Sequence, residues 1–303
     1  MTTPGLTVGI TTRNRPGALN TYLRSLSLLA DLAPEVLVFD DGSDPPAGGL
    51  IDANIETAVT VLRDPAAPGL VVGRNRLVNR AEADAVLLLD DDTKIVSSAA
   101  VIDALAILHA DSRVGAVAFA QAEPDGRPWP AAMQPSKAEF PCVVPSFIGF
   151  AHLVRPSTFL KLGGYRESFI YCGEEKDFCL RLHAAGHCTV YLPAARVVHA
   201  PDPASRSRSR TLRFTVPNDC LNAVYNDPLS RLCWILPARY ALYFRMRSAW
   251  KVHDPWGWAW IARELIRELP RSVRQRRPVS RATLKAWHAL RRSPTPYPCP
   301  PTL

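Results

Sequence analysis

The chain has 303 residues, enough for one large domain with an appendage or for two modest domains. Hydrophobic residues make up 47% of the sequence and charged residues 21%, as in ordinary globular proteins. The 7 cysteines are odd in number and include no C-x-x-C pair, which argues against a disulfide framework or a zinc site and favours buried thiols in a reducing compartment.

The net charge of +8 is distributed unevenly along the chain. Residues 204–303 hold 19 Lys and Arg against 5 Asp and Glu, whereas residues 1–203 hold 17 against 23. The body is therefore acidic and the tail strongly basic. Such asymmetry predicts that the tail meets an anionic partner, either membrane lipid or nucleic acid.

The first ten residues, MTTPGLTVGI, lack the basic and apolar regions of a signal peptide. No uncharged apolar run approaches the roughly 20 residues that a membrane-spanning helix needs. We therefore expect a cytoplasmic protein, with a peripheral position on the inner face of the plasma membrane as an open alternative.

Short β-rich runs alternate with helical patterns in the first half of the chain. The predicted strands are LTVGITT (6–12), EVLVFDD (35–41), TAVTVLRD (57–64), AVLLLDD (85–91) and VGAVAFAQAE (114–123). The predicted helices cover residues 16–32, 69–83 and 97–111. Nearly continuous apolar strands separated by helices indicate a Rossmann-like α/β fold, a mostly parallel sheet with helices on both faces. Ligands bind such sheets beyond the carboxyl ends of the strands.

The second half is less regular. Residues 124–147 are rich in proline and polar residues and read as an irregular loop. Regular structure resumes after this loop, with a helix predicted at 174–186 and a strand at 188–200. The strand ends at His199, on the same edge as the acidic residues described next.

The composition changes after Pro203, so we predict a catalytic-type α/β domain over residues 1–203 and a basic helical extension over 204–303. The segment SRSRSR (205–210) is predicted to be flexible, either disordered or a lid whose arginines meet a diphosphate. A helix at 256–275 has an apolar face made of Trp258, Ile261, Ala262, Leu265, Ile266 and Leu269. This face suits either an anionic membrane surface or packing against the body.

Three consecutive aspartates, residues 90–92, follow the apolar strand at 85–89. Two carboxylates about 4 Å apart repel by roughly 4 kcal/mol at an effective dielectric of 20, so a compensating charge is expected. A divalent cation held by Asp90 and Asp92 would supply it and would bind a diphosphate. The alternative is a solvated helix cap. His199 is a plausible third ligand, although a lone histidine at a strand end is more often structural.

Two other acidic groups are candidates for a site. In VLVFDDGS, Asp40 and Asp41 end the second strand, where a carboxylate could accept the N3–H of uracil or thymine; Asp-Gly is also a strong turn signal. In YCGEEKDFCLRL, Glu174, Glu175 and Asp177 begin a helix. Their crowding could raise one pKa enough for a general base, while the helix dipole acts in the opposite direction.

Several segments then occur in the order seen in one enzyme family. They are VGITTRNRPGALNTYLRSL, VFDDGS, GRNRLVNRAEADAVLLLDDDTKI, FIGFAHLVRPSTFLKLGGYRESFIYCGEEKDFCLRLHAAG and VVHA. Over about the first 200 residues, the chain resembles glycosyltransferase family 2, and most of all the bacterial branch with rhamnosyltransferases and other cell-envelope glycan enzymes. The resemblance implies a GT-A fold and an inverting enzyme that uses a sugar nucleotide.

The resemblance also implies residue roles. The nucleotide-sugar would be bound by Thr11, Arg13, Asp41, Arg74, Asn75, Asp90 and Asp91. Mn²⁺ or Mg²⁺ would be held by Asp90, Asp92 and His199. Glu175 occupies the place of the usual aspartate base, but Glu-Glu stands here where Glu-Asp is usual, so the base stays open among Glu174, Glu175 and Asp177.

The implied reaction moves a sugar from a UDP- or dTDP-linked donor to a hydroxyl of a glycan or lipid-linked acceptor in cell-envelope synthesis. A sugar-1-phosphate nucleotidyltransferase is one alternative, but ITTRNRPGAL lacks the Gly-rich phosphate loop it would need. A non-enzymatic binder of anionic polymers would explain the basic tail, not the acidic edge, which repels phosphate. We therefore expect no nucleic-acid partner and favour an anionic membrane surface; the sequence does not predict the oligomeric state.

Overall fold

The computed structural model describes residues 5–201 and 207–298, and its strands form one sheet. The strands are β1 (Leu6–Thr12), β2 (Glu35–Asp40), β3 (Val59–Arg63), β4 (Ala85–Asp90), β5 (Thr93–Ile95), β6 (Val114–Ala122), β7 (Cys142–Val144), β8 (Ala151–Val154), β9 (Cys188–His199) and β10 (Thr295–Pro296). Their order across the sheet is β10-β7-β9-β6-β8-β4-β1-β2-β3, and β5 pairs separately with β9.

The sheet is mixed but mostly parallel. The strands β1 to β4 run parallel to one another, and β6 runs parallel to β9. Between these groups β8 is antiparallel to both β4 and β6, so the two groups point the same way. The predicted α/β fold is confirmed, with the antiparallel strands β5, β7 and β8 as additions.

Helices cover both faces of the sheet. They are α1 (Pro16–Ser25), α2 (Leu70–Arg80), α3 (Ser98–Ala110), α4 (Pro156–Lys161), α5 (Glu174–Ala184), α6 (Arg208–Asn226), α7 (Leu229–Ala249), α8 (Gly257–Arg274) and α9 (Arg281–Leu290). Side chains alternate between the two faces of a strand. In β4, Leu87 and Leu89 join the core under α1 and α3, whereas Val86 and Leu88 join the core under α2, α4 and α5.

Two segments differ from the predicted elements. The helix predicted at 16–32 is α-helical only to Ser25 and continues as a 3-10 turn over Leu26–Leu32. The loop predicted at 124–147 contains β7, which pairs antiparallel with β9 at the sheet edge. Cys142 and Val144 of β7 are buried there, and this burial gives a three-residue strand enough contact to persist between Pro141 and Pro145.

The C-terminal helices pack on the body. Trp287 of α9 is buried against Leu180 of α5, and its Nε1 donates to the Pro145 carbonyl over 2.8 Å. The predicted domain boundary at 203 and 204 lies outside the described residues. The six cysteines in the described segments are free thiols. Within those segments we find no helix with the length and hydrophobicity to cross a bilayer.

Candidate active site

The carboxyl ends of the parallel strands meet along one edge, as expected. The ladder places Thr11 of β1 opposite Asp90 of β4, and Thr12 opposite Asp40 of β2. A cleft of about 490 Å³ opens beyond these strand ends. Its walls include six of the predicted site residues: Thr11, Arg13, Asp41, Asp90, Asp91 and Asp92. Residues that lie far apart in the sequence therefore share one site.

The two aspartates after β2 have different environments. Asp40 is fully buried and accepts hydrogen bonds from the backbone N–H groups of Ser43 and Ala47 at 2.8 and 2.9 Å, so it organises the turn. Asp41 lines the cleft, where its Oδ1 accepts from the Gly69 N–H over 2.7 Å. Only Asp41 is therefore placed to meet a ligand.

Two arginines offset part of the charge of the aspartate run. Arg74 donates to Asp90 Oδ1 over 2.7 Å, and Arg15 forms an ion pair with Asp91. Burial nevertheless raises the pKa of Asp91 to about 7. The sequence points to a bound cation or a solvated helix cap for this run and to no arginine, so Arg15 is a residue of the site that the sequence did not reveal.

A cluster of three residues fits a divalent cation. Asp90, Asp92 and His199 each offer one ligand atom, and these atoms all lie within 4.8 Å of one another. The β5–β9 ladder brings them together, because it pairs Thr93 with His199, and the Ala200 N–H donates to the Asp92 carbonyl over 2.9 Å. Two carboxylates and an imidazole suit Mn²⁺ better than Mg²⁺, which prefers an all-oxygen shell.

Arg74 and Asn75, predicted to bind the nucleotide-sugar beside the nucleoside, lie outside the cleft lining. The Arg74 side chain is only 2% exposed and joins Asp90 to Glu174, with a further bond to the Gly149 carbonyl at 2.7 Å. Asn75 bonds to both the N–H and the carbonyl of Tyr165 at 2.9 Å. Arg74 therefore stabilises the carboxylates of Asp90 and Glu174 from the buried side, and Asn75 fixes the loop at Tyr165.

The three candidate bases differ in exposure and in their charged neighbours. Asp177 is completely buried, and Arg166 and Arg181 lie 3.0 and 2.7 Å from its two oxygens. Burial alone would raise its pKa, but Arg181 and Arg166 outweigh burial and hold the pKa below its usual range. A carboxylate held in this way has neither access to an acceptor nor affinity for its proton. The inclusion of Asp177 among the catalytic acids does not fit this environment.

The adjacent glutamates do not line the cleft either, but their raised pKa values suit a base better than that of Asp177. Glu174 is 1% exposed; its Oε1 accepts from Arg74 over 3.0 Å, and its Oε2 has no hydrogen-bond partner within the described chain. Burial, with the charge of Glu175, raises the pKa of Glu174 to about 8. Glu175 is only partly buried, and burial raises its pKa too. Glu175 is therefore the more accessible carboxylate of a pair that binds protons tightly.

Part of the cleft lining comes from the segment before α5 and from the start of α6, where the sequence predicts either disorder or a lid over residues 205–210. Tyr171, Arg210 and Thr211 line the cleft, and the Arg210 guanidinium lies 5.2 Å from the centre of the Tyr171 ring. In the segment predicted to be flexible, residues 208–210 form the first turn of α6, and Ser207 caps that helix by accepting from the Arg210 N–H. Residues 205 and 206 lie outside the described residues.

Comparison with known proteins gives a family match and a fold match. Residues 7–151 match the family model "Glycosyl transferase family 2". The mannosyltransferase PcManGT from Pyrobaculum calidifontis, solved with GDP-Man and Mn²⁺, has a TM-score of 0.60 and 17% identity, covering 96% of this chain and 87% of that one. S. aureus TarS bound to UDP-GlcNAc has a TM-score of 0.58 and 16% identity, covering 92% and 82%.

A third structure, GalNAc-T7 with UDP, GalNAc and Mn²⁺, has a TM-score of 0.59 and 14% identity. The match covers 89% of this chain but spans only 58% of that longer one. At these identities the likenesses establish the fold, which is the expected GT-A fold. None of the curated proteins matches the sequence.

Proposed function

The chain carries a glycosyltransferase family 2 domain on the GT-A fold, and from that premise we propose that it moves a sugar from a nucleoside-diphosphate sugar to an acceptor hydroxyl. The observation that carries the proposal is the convergence of Asp41, residues 90–92 and His199 on one edge of the sheet. The neighbours' ligands, UDP, UDP-GlcNAc and GDP-Man, support this class of donor. Asp41 suits the N3–H of uracil or thymine, which favours a UDP- or dTDP-linked sugar.

The leaving group would sit among the positive groups of the cleft. Asp90, Asp92 and His199 would hold Mn²⁺, which when bound supplies positive charge to the departing diphosphate. Arg13 and Arg210 line the same cleft and add positive charge there. Arg13 and Arg210 would stabilise the nucleoside diphosphate as it leaves.

Glu175 is the proposed base. It takes the proton of the acceptor hydroxyl while that oxygen attacks the anomeric carbon from the face opposite the diphosphate. The new carbon–oxygen bond forms as the bond to the diphosphate oxygen breaks, so one displacement inverts the anomeric configuration. Arg74, which bridges Glu174 to Asp90, also lies close enough for its positive charge to lower the pKa of Glu175 and so oppose the effect of burial.

A donor screen tests this function. We expect one of a panel of UDP-, dTDP- and GDP-sugars to release its nucleoside diphosphate in the presence of Mn²⁺. The Asp92→Ala variant, which lacks one proposed metal ligand, should release none above background while it keeps the wild-type melting temperature. The nucleotidyltransferase alternative predicts a different product, inorganic pyrophosphate from a nucleoside triphosphate and a sugar 1-phosphate.

We also propose that the acceptor belongs to cell-envelope glycan or glycolipid synthesis and that the chain works on an anionic membrane surface. Helix α8 supports the second point. Ile261 is buried against α6 and α7, whereas Trp258, Ile266, Leu269 and Val273 are 42–73% exposed and share one face at helical spacing. Four exposed arginines, at 263, 267, 271 and 274, lie beside this face. An apolar stripe next to an arginine stripe suits an interfacial helix.

Vesicle sedimentation tests the membrane contact. The wild-type chain should sediment with vesicles that contain anionic lipid, and less as the salt concentration rises. Ile266→Ser should weaken binding about 10- to 100-fold, because burial of such a side chain contributes about 1.5–3 kcal/mol. Ile102→Ser, an exposed isoleucine on α3 away from α8, is the matched control and should leave binding unchanged. If the wild-type chain stays in the supernatant at low salt, the membrane proposal is wrong.

A further inference from the structure

The ring of His199 is held by groups to which the proposed reaction assigns no role. Trp129 stacks on it with ring centres 5.3 Å apart and planes 12° from parallel, and Phe150 stacks with centres 5.0 Å apart at 20°. Gln121 Oε1 lies 2.7 Å from the ring Nδ1. The other ring nitrogen, Nε2, lies 3.5 Å from Asp92 Oδ1. The stacked rings therefore fix the plane of the imidazole, and its Nε2 edge faces Asp92, one of the candidate metal ligands.

The second bond of Gln121 determines which way its amide points. Its Nε2 donates to the Met133 carbonyl over 2.5 Å. A carbonyl oxygen only accepts, so the nitrogen end of the amide must face Met133 and the oxygen end must face His199. An amide oxygen also only accepts, so the proton of a neutral His199 lies on Nδ1. The lone pair then lies on Nε2, the edge that faces Asp92.

Gln121 is itself fixed by the loop that follows it. The Gln134 side chain accepts from the Gln121 N–H and donates to the Gln121 carbonyl, both over 2.8 Å, as a neighbouring strand would. The Trp129 N–H donates to the same carbonyl over 3.0 Å. Gln121 is 3% exposed and has little freedom to choose another rotamer. The segment 129–134 therefore anchors both the amide and the ring that stacks on His199.

We propose that Gln121 is a positioning residue, which keeps the proton of His199 on Nδ1 and so presents Nε2, together with Asp90 and Asp92, to a divalent cation. This inference rests on the proposed function for the identity of the site. A metal-bound histidine generally donates its other ring N–H to an acceptor that fixes its tautomer, and loss of that acceptor typically lowers metal affinity about 10- to 100-fold. Gln121 meets this requirement through an amide rather than a carboxylate.

Two measurements on the full chain test the inference. Nitrogen-15 NMR of labelled histidine reports which ring nitrogen carries the proton, and electron paramagnetic resonance of free Mn²⁺ gives the affinity for the metal alone. We expect the Nδ1–H form of His199 in the wild-type protein. In Gln121→Met, which keeps the volume but not the acceptor, the Nε2–H form should become populated, and the dissociation constant for Mn²⁺ should rise about 10- to 100-fold.

Two further variants separate this role from general packing. Gln134→Met removes two hydrogen bonds to the main chain of Gln121 but leaves the Gln121 amide itself in place, so it should lower Mn²⁺ affinity less than Gln121→Met does. Gln121→Glu retains an oxygen acceptor for Nδ1–H but loses the donor to the Met133 carbonyl, so it should restore part of the affinity lost in Gln121→Met. Thermal unfolding confirms that each variant is folded before it is titrated.

The outcomes also separate this inference from the proposed function. An Nε2–H tautomer in the wild-type protein, or an unchanged Mn²⁺ affinity in folded Gln121→Met, would overturn the role of Gln121 and leave donor turnover intact. A wild-type chain that binds no Mn²⁺ would overturn the metal site of the proposed function as well. The tautomer measurement needs no variant, so it decides the matter even if Gln121→Met does not fold.

Discussion

Glu175→Gln is expected to lower the turnover number about 10²- to 10⁴-fold while leaving the free energy of unfolding nearly unchanged. The amide keeps the size of the side chain but cannot take a proton from the acceptor hydroxyl. Because burial raises the pKa of Glu175, the wild-type rate should rise with pH through that raised pKa, as the carboxylate loses its proton. The variant should lose this pH dependence.

Single-turnover rates at saturating donor, with and without acceptor, measure the effect. Glu174→Gln is the matched control, since the same substitution is made one residue earlier in a side chain that faces Arg74. We expect this control to retain more activity than Glu175→Gln. Wild-type turnover by Glu175→Gln would reject the assignment, and a larger loss in Glu174→Gln would transfer the base role to Glu174.

Arg74→Leu is expected to lower the free energy of unfolding by about 3–5 kcal/mol, because removal of one partner leaves buried carboxylates without compensation. Arg74 is the link between Asp90 and Glu174, at 2.7 and 3.0 Å, and its own side chain is 2% exposed. Gly149 lets the main chain approach this group: a Cβ there would lie 2.4 Å from Glu175 Oε1 and 2.9 Å from Arg74 Nη1. Because these groups are closely packed, Arg74→Leu should also shift the side chain of Glu175, the proposed base.

Denaturant unfolding measures the loss. Without Arg74 the pKa of Glu174 is expected to rise further. Above about pH 8 the folded variant then keeps a proton on Glu174 that the folded wild-type protein releases. The difference in unfolding free energy between the two proteins should therefore grow as the pH rises. Arg76→Leu is the control on the same helix; Arg76 is 49% exposed and pairs with Asp64 at the surface, where a pair contributes at most about 1 kcal/mol. Equal stabilities for the two variants would contradict the supporting role of Arg74.

Local pattern was enough to predict the parallel strands and the edge of the sheet at which their carboxyl ends meet. Five apolar residues before Asp90 favour a buried strand with its carboxyl end at the acids, and parallel pairing then places Thr11 and Asp90 side by side. His199 was predicted for the same reason, as the end of an apolar strand. The pairing that sets it beside Asp92 needs β5, a strand of three residues that is too short to give a periodic signal.

Partners across the fold were not predictable from spacing. Arg15 follows β1 in a loop, and nothing in TTRNRPG indicates that it pairs with Asp91. Gln121 is one of several polar residues near a strand end. Its proposed role depends on its contacts with Met133 and His199, which lie in other parts of the fold. Such contacts depend on how separate elements pack, which a single sequence does not encode locally.

The clearest differences from the sequence prediction concern the direction in which two side chains point from their helices. Arg74 was placed beside the nucleoside because it stands in a recognised motif, but the packing of α2 on the sheet turns it inward, toward Glu174. Asp177 was grouped with its neighbours by proximity in the sequence. One helical turn separates its environment from theirs, since it faces Arg166 and Arg181 behind the site.

The central claim is that Asp90, Asp92 and His199 hold a cation that a nucleotide-sugar needs in order to react. The most direct test is release of nucleoside diphosphate from the donor panel, measured with Mn²⁺, with chelator and with the Asp92→Ala variant. We predict release by the wild-type chain with Mn²⁺ and background levels in the other two cases. Equal release with chelator, or full activity in folded Asp92→Ala, would contradict the claim.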